Sequence, residues 1–221
     1  MKKFQITTIF ALFLLIMGVI VSGCVNNSSN NGPSQLAAVK PGDTVIVSFT
    51  LNDASGNPVL TSNQEIYNST AISNKGVALS QPLTITANQS ETSPIYPVRF
   101  TTANSGSEQQ FALFSNEYNA ISSAIVGMKI GDQKRVALSS ASTMTQTWSA
   151  EQLQRNQVNM NNMNIGDSFP MGMSDNPSNS PGPSVPYTRI GILTSKSESG
   201  VMIDFGYPSA DISIISIKSN N

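Results

Sequence analysis

Ala124-Ile-Val-Gly-Met-Lys-Ile-Gly-Asp-Gln-Lys-Arg135 reads as a helix end, a turn and a strand start in immediate succession. A short helix is predicted over Asn119–Val126, with Asn119 as N-cap, Ile121, Ile125 and Val126 on one side, and Gly127 as its stop. Lys129-Ile-Gly-Asp132 reverses the chain, and Gln133–Leu138 follows as a strand. Upstream, Thr44–Thr50 sets Val45, Val47 and Phe49 against polar neighbours, and Leu83–Thr86 and Tyr96–Thr102 have similar character. Downstream, Thr188–Thr194, Gly200–Phe205 and Ile212–Ile217 are β-branched runs. Ser149 and Gln152 have capping-box spacing for a second helix, Ser149–Gln157, with Leu153 as its buried position. Asn159–Pro186, rich in Asn, Met and Pro, reads as a long loop. Few helices among many strands predict an α+β, β-rich fold.

Composition narrows the chemistry. The chain has 221 residues, enough for one large or two small domains, with 39% hydrophobic and only 11% charged side chains. A formal charge of −1 offers no basic surface for nucleic acid, and none is expected as a partner. With no histidine and a single cysteine, imidazole-based nucleophile systems, the usual zinc sites and an internal disulfide are excluded. No metal or other cofactor is expected. The seven aspartates of the exported portion are dispersed and form neither a calcium loop nor a carboxylate pair.

Lys2 and Lys3 precede an apolar run from Ile6 to Val21, the layout of an export signal. The run ends in Val21-Ser-Gly-Cys24, which resembles a prokaryotic lipobox: cleavage before Cys24 and lipidation of its thiol are expected. Residues 1–23 are then a signal peptide, and 24–38 are a flexible Asn/Ser-rich tether. The protein is expected outside the cell membrane, held to its outer face by lipid on Cys24.

Two clusters carry a family resemblance. Val39-Lys-Pro-Gly-Asp-Thr-Val-Ile-Val-Ser-Phe-Thr50 together with Ala124–Arg135, and Val201-Met-Ile-Asp-Phe-Gly-Tyr-Pro-Ser-Ala210, resemble FKBP-type peptidyl-prolyl cis-trans isomerases of the long, SlyD-like kind. Ser149–Met173 is similar to the helix and strand that open that family's inserted domain. The resemblance implies an antiparallel half-barrel around a short helix, formed by 39–148 plus 207–221, with a small β-rich flap domain inserted at 149–206. It further implies a candidate pocket of Phe49, Leu60, Tyr118, Ile121 and Met144, Val59 beside them, and unfolded or proline-containing polypeptides as partners.

Prolyl isomerisation needs no nucleophile or metal, because the obstacle is a rotation barrier of about 20 kcal/mol. An apolar grip and a backbone N–H near Tyr118 could serve. The pocket departs from the family, however. Leu60 stands where the family has aspartate, Ser140–Thr145 replaces a tyrosine-bearing loop, and Tyr207 stands at the family's histidine. A weak isomerase or folding helper, a non-catalytic peptide-binding module of the same fold, and a structural surface β-protein are the open readings. Met160, Met163, Met171 and Met173 offer soft thioethers of the kind that bind Cu(I), but with no cysteine or histidine nearby to complete a site, core filling or a peptide-binding surface is the commoner use.

Overall fold

The computed structural model describes residues 37–71, 76–101, 107–139, 144–174 and 186–219; the leader, Cys24 and the tether lie outside them. In chain order the elements are β1 (Thr44–Asn52), β2 (Pro58–Thr61), α1 (Gln64–Ala71), β3 (Ala78–Ser80), β4 (Leu83–Thr86), β5 (Ile95–Thr101), β6 (Gln109–Phe114), α2 (Ser115–Ala124), β7 (Gln133–Ala137), β8 (Thr145–Ser149), α3 (Ala150–Arg155), a 3-10 turn (Met160–Asn162), β9 (Ser168–Ser174), β10 (Pro186–Ser197), β11 (Gly200–Asp204) and β12 (Ser209–Lys218). The strands form one curled, half-barrel sheet in the order β7-β12-β1-β2-β3-β5-β6-β10-β11-β8, with β4 also on β1 and β9 on β10. Pairing is antiparallel except at β2–β3 and β6–β10. The fold is β-rich with few helices, as the sequence predicts.

Strand β1 is central because alternation gives it a wholly apolar inner face: Val45, Val47, Phe49 and Leu51 are all buried. The last strand, β12, runs antiparallel to it from Thr44↔Lys218 to Asn52↔Ser209 and separates it from β7. The chain end is therefore integral to the sheet. Helix α2 packs on the inner face through Tyr118, Ile121 and Ile125. Gly127 ends it at φ +83°, a conformation that side chains with a Cβ resist, and its N–H bonds the Val39 carbonyl while Val39 N–H bonds Met128.

A second buried cluster comprises Leu153, Met163, Leu193, Val201, Ile203 and Phe205, between α3, the 3-10 turn, β10 and β11. Strand β10 serves both cores, with Ile190 in the first and Leu193 in the second. Its Gly191 is required by close approach: a Cβ there would lie 2.6 Å from the Phe205 ring.

Two local expectations change and a third holds. Helix α2 begins at Ser115, four residues before the predicted cap, and Asn119 lies inside it with its side-chain oxygen accepting Glu91 N–H. Glu117 supplies the N-terminal acceptor instead, bonding Phe114 N–H at 3.0 Å. The predicted loop Asn159–Pro186 contains the 3-10 turn and β9, whose pairing with β10 tolerates Pro170 and Gly172. The capping box at Ser149 forms as predicted, with Gln152 N–H donating to Ser149 Oγ at 3.1 Å and Ser149 N–H to Gln152 Oε1 at 2.8 Å.

Candidate functional site

Phe49, Leu60, Tyr118 and Ile121 come together in the first core, contributed by β1, β2 and one face of α2. Met144 does not join them; it precedes β8 and packs against the second cluster. Val59 is in the first core, and Tyr207 is too. Leu60 and Ile121 have no accessible surface and so line no cavity that water enters. Tyr118 lies closest to solvent. Its ring meets that of Tyr96 at 4.6 Å between centroids, and Tyr96 Oη donates to the Thr84 carbonyl at 3.0 Å. Burial raises the pKa of both phenols, so both stay neutral at physiological pH.

The N-terminal turn of α2 is already spoken for. Phe114 N–H bonds Glu117, Ser115 N–H bonds the Pro94 carbonyl, and Glu117 N–H bonds Asn116 Oδ1. Helix geometry directs the Tyr118 N–H back to the Phe114 carbonyl. A substrate carbonyl expected to bond near Tyr118 would compete with that helix bond.

A buried ion pair, which the sequence reading missed, fixes this helix. Arg189 of β10 donates through Nη1 and Nη2 to the Glu117 carboxylate at 2.8 and 2.6 Å, with neither side chain exposed. Its Nε bonds the Phe205 carbonyl and its Nη1 the Ala112 carbonyl. The rings of Phe111, Phe114 and Tyr207 surround the guanidinium, the nearest at 4.1 Å. Burial works against the Arg189 charge, but Tyr207 and Glu117 more than offset it, and the pKa lies above its ordinary value. Tyr207 bonds the Ile190 carbonyl at 2.5 Å, and burial pushes its phenol strongly upward. The available signal was Arg189, one charge in the otherwise uncharged run Tyr187–Leu193.

The surface over the second cluster is more open. Two hollows of about 380 and 520 Å³ share Met160 and Asn161; Val158 borders one, Met163 and Ile165 the other. Ile165 is 68% exposed, which makes this apolar surface available to a partner. Among the described residues, strand β8 ends the sheet. Phe205 N–H bonds the Met144 carbonyl and Ala150 N–H bonds the Ser199 carbonyl, which sets the ladder's phase. Gln146 and Trp148 therefore bond toward β11, while the N–H and C=O groups of Thr145 and Thr147 point outward. Trp148 packs edge-on to Phe169 at 5.3 Å between centroids. Among the described residues no group of three or more acidic, histidine or cysteine side chains is arranged to hold a metal.

Neither a family model nor a curated protein matches the chain.

Proposed function

We propose that the protein is an exported folding helper of FKBP-like build, tethered by lipid on Cys24, that binds unfolded, proline-containing polypeptides and isomerises prolyl bonds only weakly. The observation that carries the reading is β8, whose sequence Thr145-Gln-Thr-Trp-Ser149 has no charge, proline or bulge to discourage pairing. An extended client can add a strand there through main-chain hydrogen bonds, which suit clients of varied sequence. The methionine-bordered hollows of the same lobe add adaptable apolar contact.

The FKBP-like part is supported by the way the motif clusters meet. The Gly127-Met-Lys turn leads into β7, Asp204-Phe-Gly-Tyr-Pro208 leads into β12, and these strands pair from Ser209↔Ala137 to Ser213↔Gln133 beside α2. Weak turnover follows from the closed interior around Leu60 and Ile121. Catalysis needs tighter contact with the twisted imide than with the planar one, whereas strand addition needs only a free edge.

The test is binding of a reduced, alkylated unfolded polypeptide to the wild type and to Thr147→Pro. Proline removes an outward N–H and no ladder bond, so thermal unfolding should be unchanged while affinity falls at least about tenfold. Unaltered affinity would remove β8 from the proposal. A wild type that binds no unfolded polypeptide would remove the folding-helper reading.

A further inference from the structure

On the face of the sheet turned away from α2, alternation brings two polar rows together across four strands. Gln133, Ser213 and Ser48 pair in register and continue to Ser62, whose Oγ is 3.1 Å from Ser48 Oγ. Arg135, Asp211, Thr50 and Thr61 form the second row, with Thr50 and Thr61 hydroxyls 2.7 Å apart. Short side chains along these rows leave a hollow of about 340 Å³, bordered on the α1 side by Asn63 and Ile66. Hydroxyls of Ser48, Thr50 and Ser213 and the amides of Gln133 and Asn63 share this lining with one charge pair, Arg135 and Asp211.

The geometry points to a binding site for a neutral polyhydroxyl ligand, a sugar ring, in this hollow. Charge decides between a sugar and an anion. Arg135 is already neutralised by Asp211 through two bonds of 2.7 Å, and Lys134 Nζ donates to the Ala124 carbonyl at 3.1 Å. Among the described residues that line the hollow, both cations are thus engaged, which leaves a phosphate or carboxylate no ready counter-charge. The Arg135–Asp211 pair instead fixes a planar donor group beside a planar acceptor group. Asn52 Nδ2 holds Asp211 Oδ2 from behind at 2.9 Å, and the Arg135 and Asp211 side chains remain 64% and 40% exposed. Adjacent hydroxyls of a sugar, each both donor and acceptor, complement such a pair. The Ser62 and Thr61 hydroxyls are committed to the Phe49 and Asn63 backbone and hold Ser48 and Thr50 in place; the hydroxyls that line the hollow are those of Ser48, Thr50 and Ser213, and Ile66 offers an apolar contact for ring C–H groups. The volume lies at the small end of ligand sites, matching about one or two sugar rings. This site is independent of the polypeptide-binding reading.

The test uses the full chain in a detergent without a sugar headgroup, with backbone amide shifts followed by NMR. The probes are methyl hexosides, methyl-capped and reducing disaccharides, and inorganic phosphate. Sugar is expected to move the amides of Ser48, Thr50, Gln133, Arg135 and Ser213. Ser213→Ala should weaken binding about fivefold and Asp211→Asn at least about tenfold. Preference for capped over reducing forms would identify a residue within a larger glycan rather than a free sugar as the ligand. The inference is overturned if no sugar moves these amides, if phosphate moves them and sugars do not, or if both variants bind sugar like the wild type.

Discussion

Arg189 and Glu117, on β10 and α2, form a bidentate pair with both side chains at 0% exposure. Such a pair contributes little net stability against an apolar replacement, because desolvation offsets the attraction, but breaking it leaves an uncompensated buried charge. Its structural effect is specific. It joins the helix of the first core to the strand that also serves the second, while further Arg189 N–H groups donate to the Phe205 and Ala112 carbonyls. Glu117→Ala or Arg189→Ala is expected to cost about 3–5 kcal/mol in urea unfolding. The double variant Glu117→Leu with Arg189→Met should cost less than the sum of the singles. Additive losses would mean that the two residues act separately.

Anchoring is tested at Cys24. One acyl chain gives only marginal membrane binding, so stable retention calls for two lipid signals on the processed N-terminus. Cys24→Ser should release the protein from the membrane fraction or block its processing. A Cys24→Ser protein that is cleaved normally and stays on the membrane would contradict the lipoprotein assignment.

Asp211 predicts a specific pH response. The Arg135 hydrogen bonds, helped by Asn52, hold its carboxyl below the ordinary value of 3.8. A depressed carboxylate contributes its stabilisation above its unfolded pKa and loses it as pH falls through the folded one. The contribution should therefore be complete at neutral pH, begin to fall at about pH 4, and vanish only once the pH is below the depressed folded value. Exposure and screening limit it to about 1 kcal/mol or less. Asp211→Asn should lower stability slightly at pH 7, leave it unchanged in strong acid, and reduce the effect of 1 M salt. Equal destabilisation at pH 2 and pH 7 would show that the effect is not electrostatic.

What the sequence made legible was local. Strand alternation marks β1 and β12, positive φ marks Gly127, and the Ser149–Gln152 reciprocity marks α3. Phe49, Leu60, Tyr118 and Ile121 converge because strand alternation and helix periodicity both turn them inward. Met144 diverges because it precedes β8, at the far end of the sheet from β7, where it packs against the second cluster. The early start of α2 and the Glu117–Arg189 pair depend on contacts across 72 sequence positions, which no local pattern reports. The same holds for β9, whose pairing with β10 outweighs its proline and glycine.

The burial of Leu60 reshapes the test of catalysis. Restoring an acidic group by Leu60→Asp would place a carboxylate where no water reaches, and the expected outcome is unfolding rather than improved turnover. The informative position is Tyr96, which is half-buried and covers Tyr118 through the 4.6 Å ring contact. Tyr96→Ala removes that cover while leaving Phe49, Leu60 and Ile121 in place. In a proline-limited refolding assay, the wild type is expected to accelerate the slow phase only slightly. Tyr96→Ala should accelerate it more, because an apolar site that a proline ring can enter is then open beside α2. Tyr118→Ala, which also loses the hydroxyl's bond to the Thr86 backbone, should abolish the residual rate and lower stability. Suppression of aggregation of an unfolded client should persist in Tyr96→Ala, since the proposed client site is β8 at the far end of the sheet. Strong wild-type catalysis would mean that the interior opens readily in solution and that Leu60 is an acceptable pocket residue. Loss of aggregation suppression in Tyr96→Ala, with stability unchanged, would move client binding from β8 to the Tyr96–Tyr118 surface.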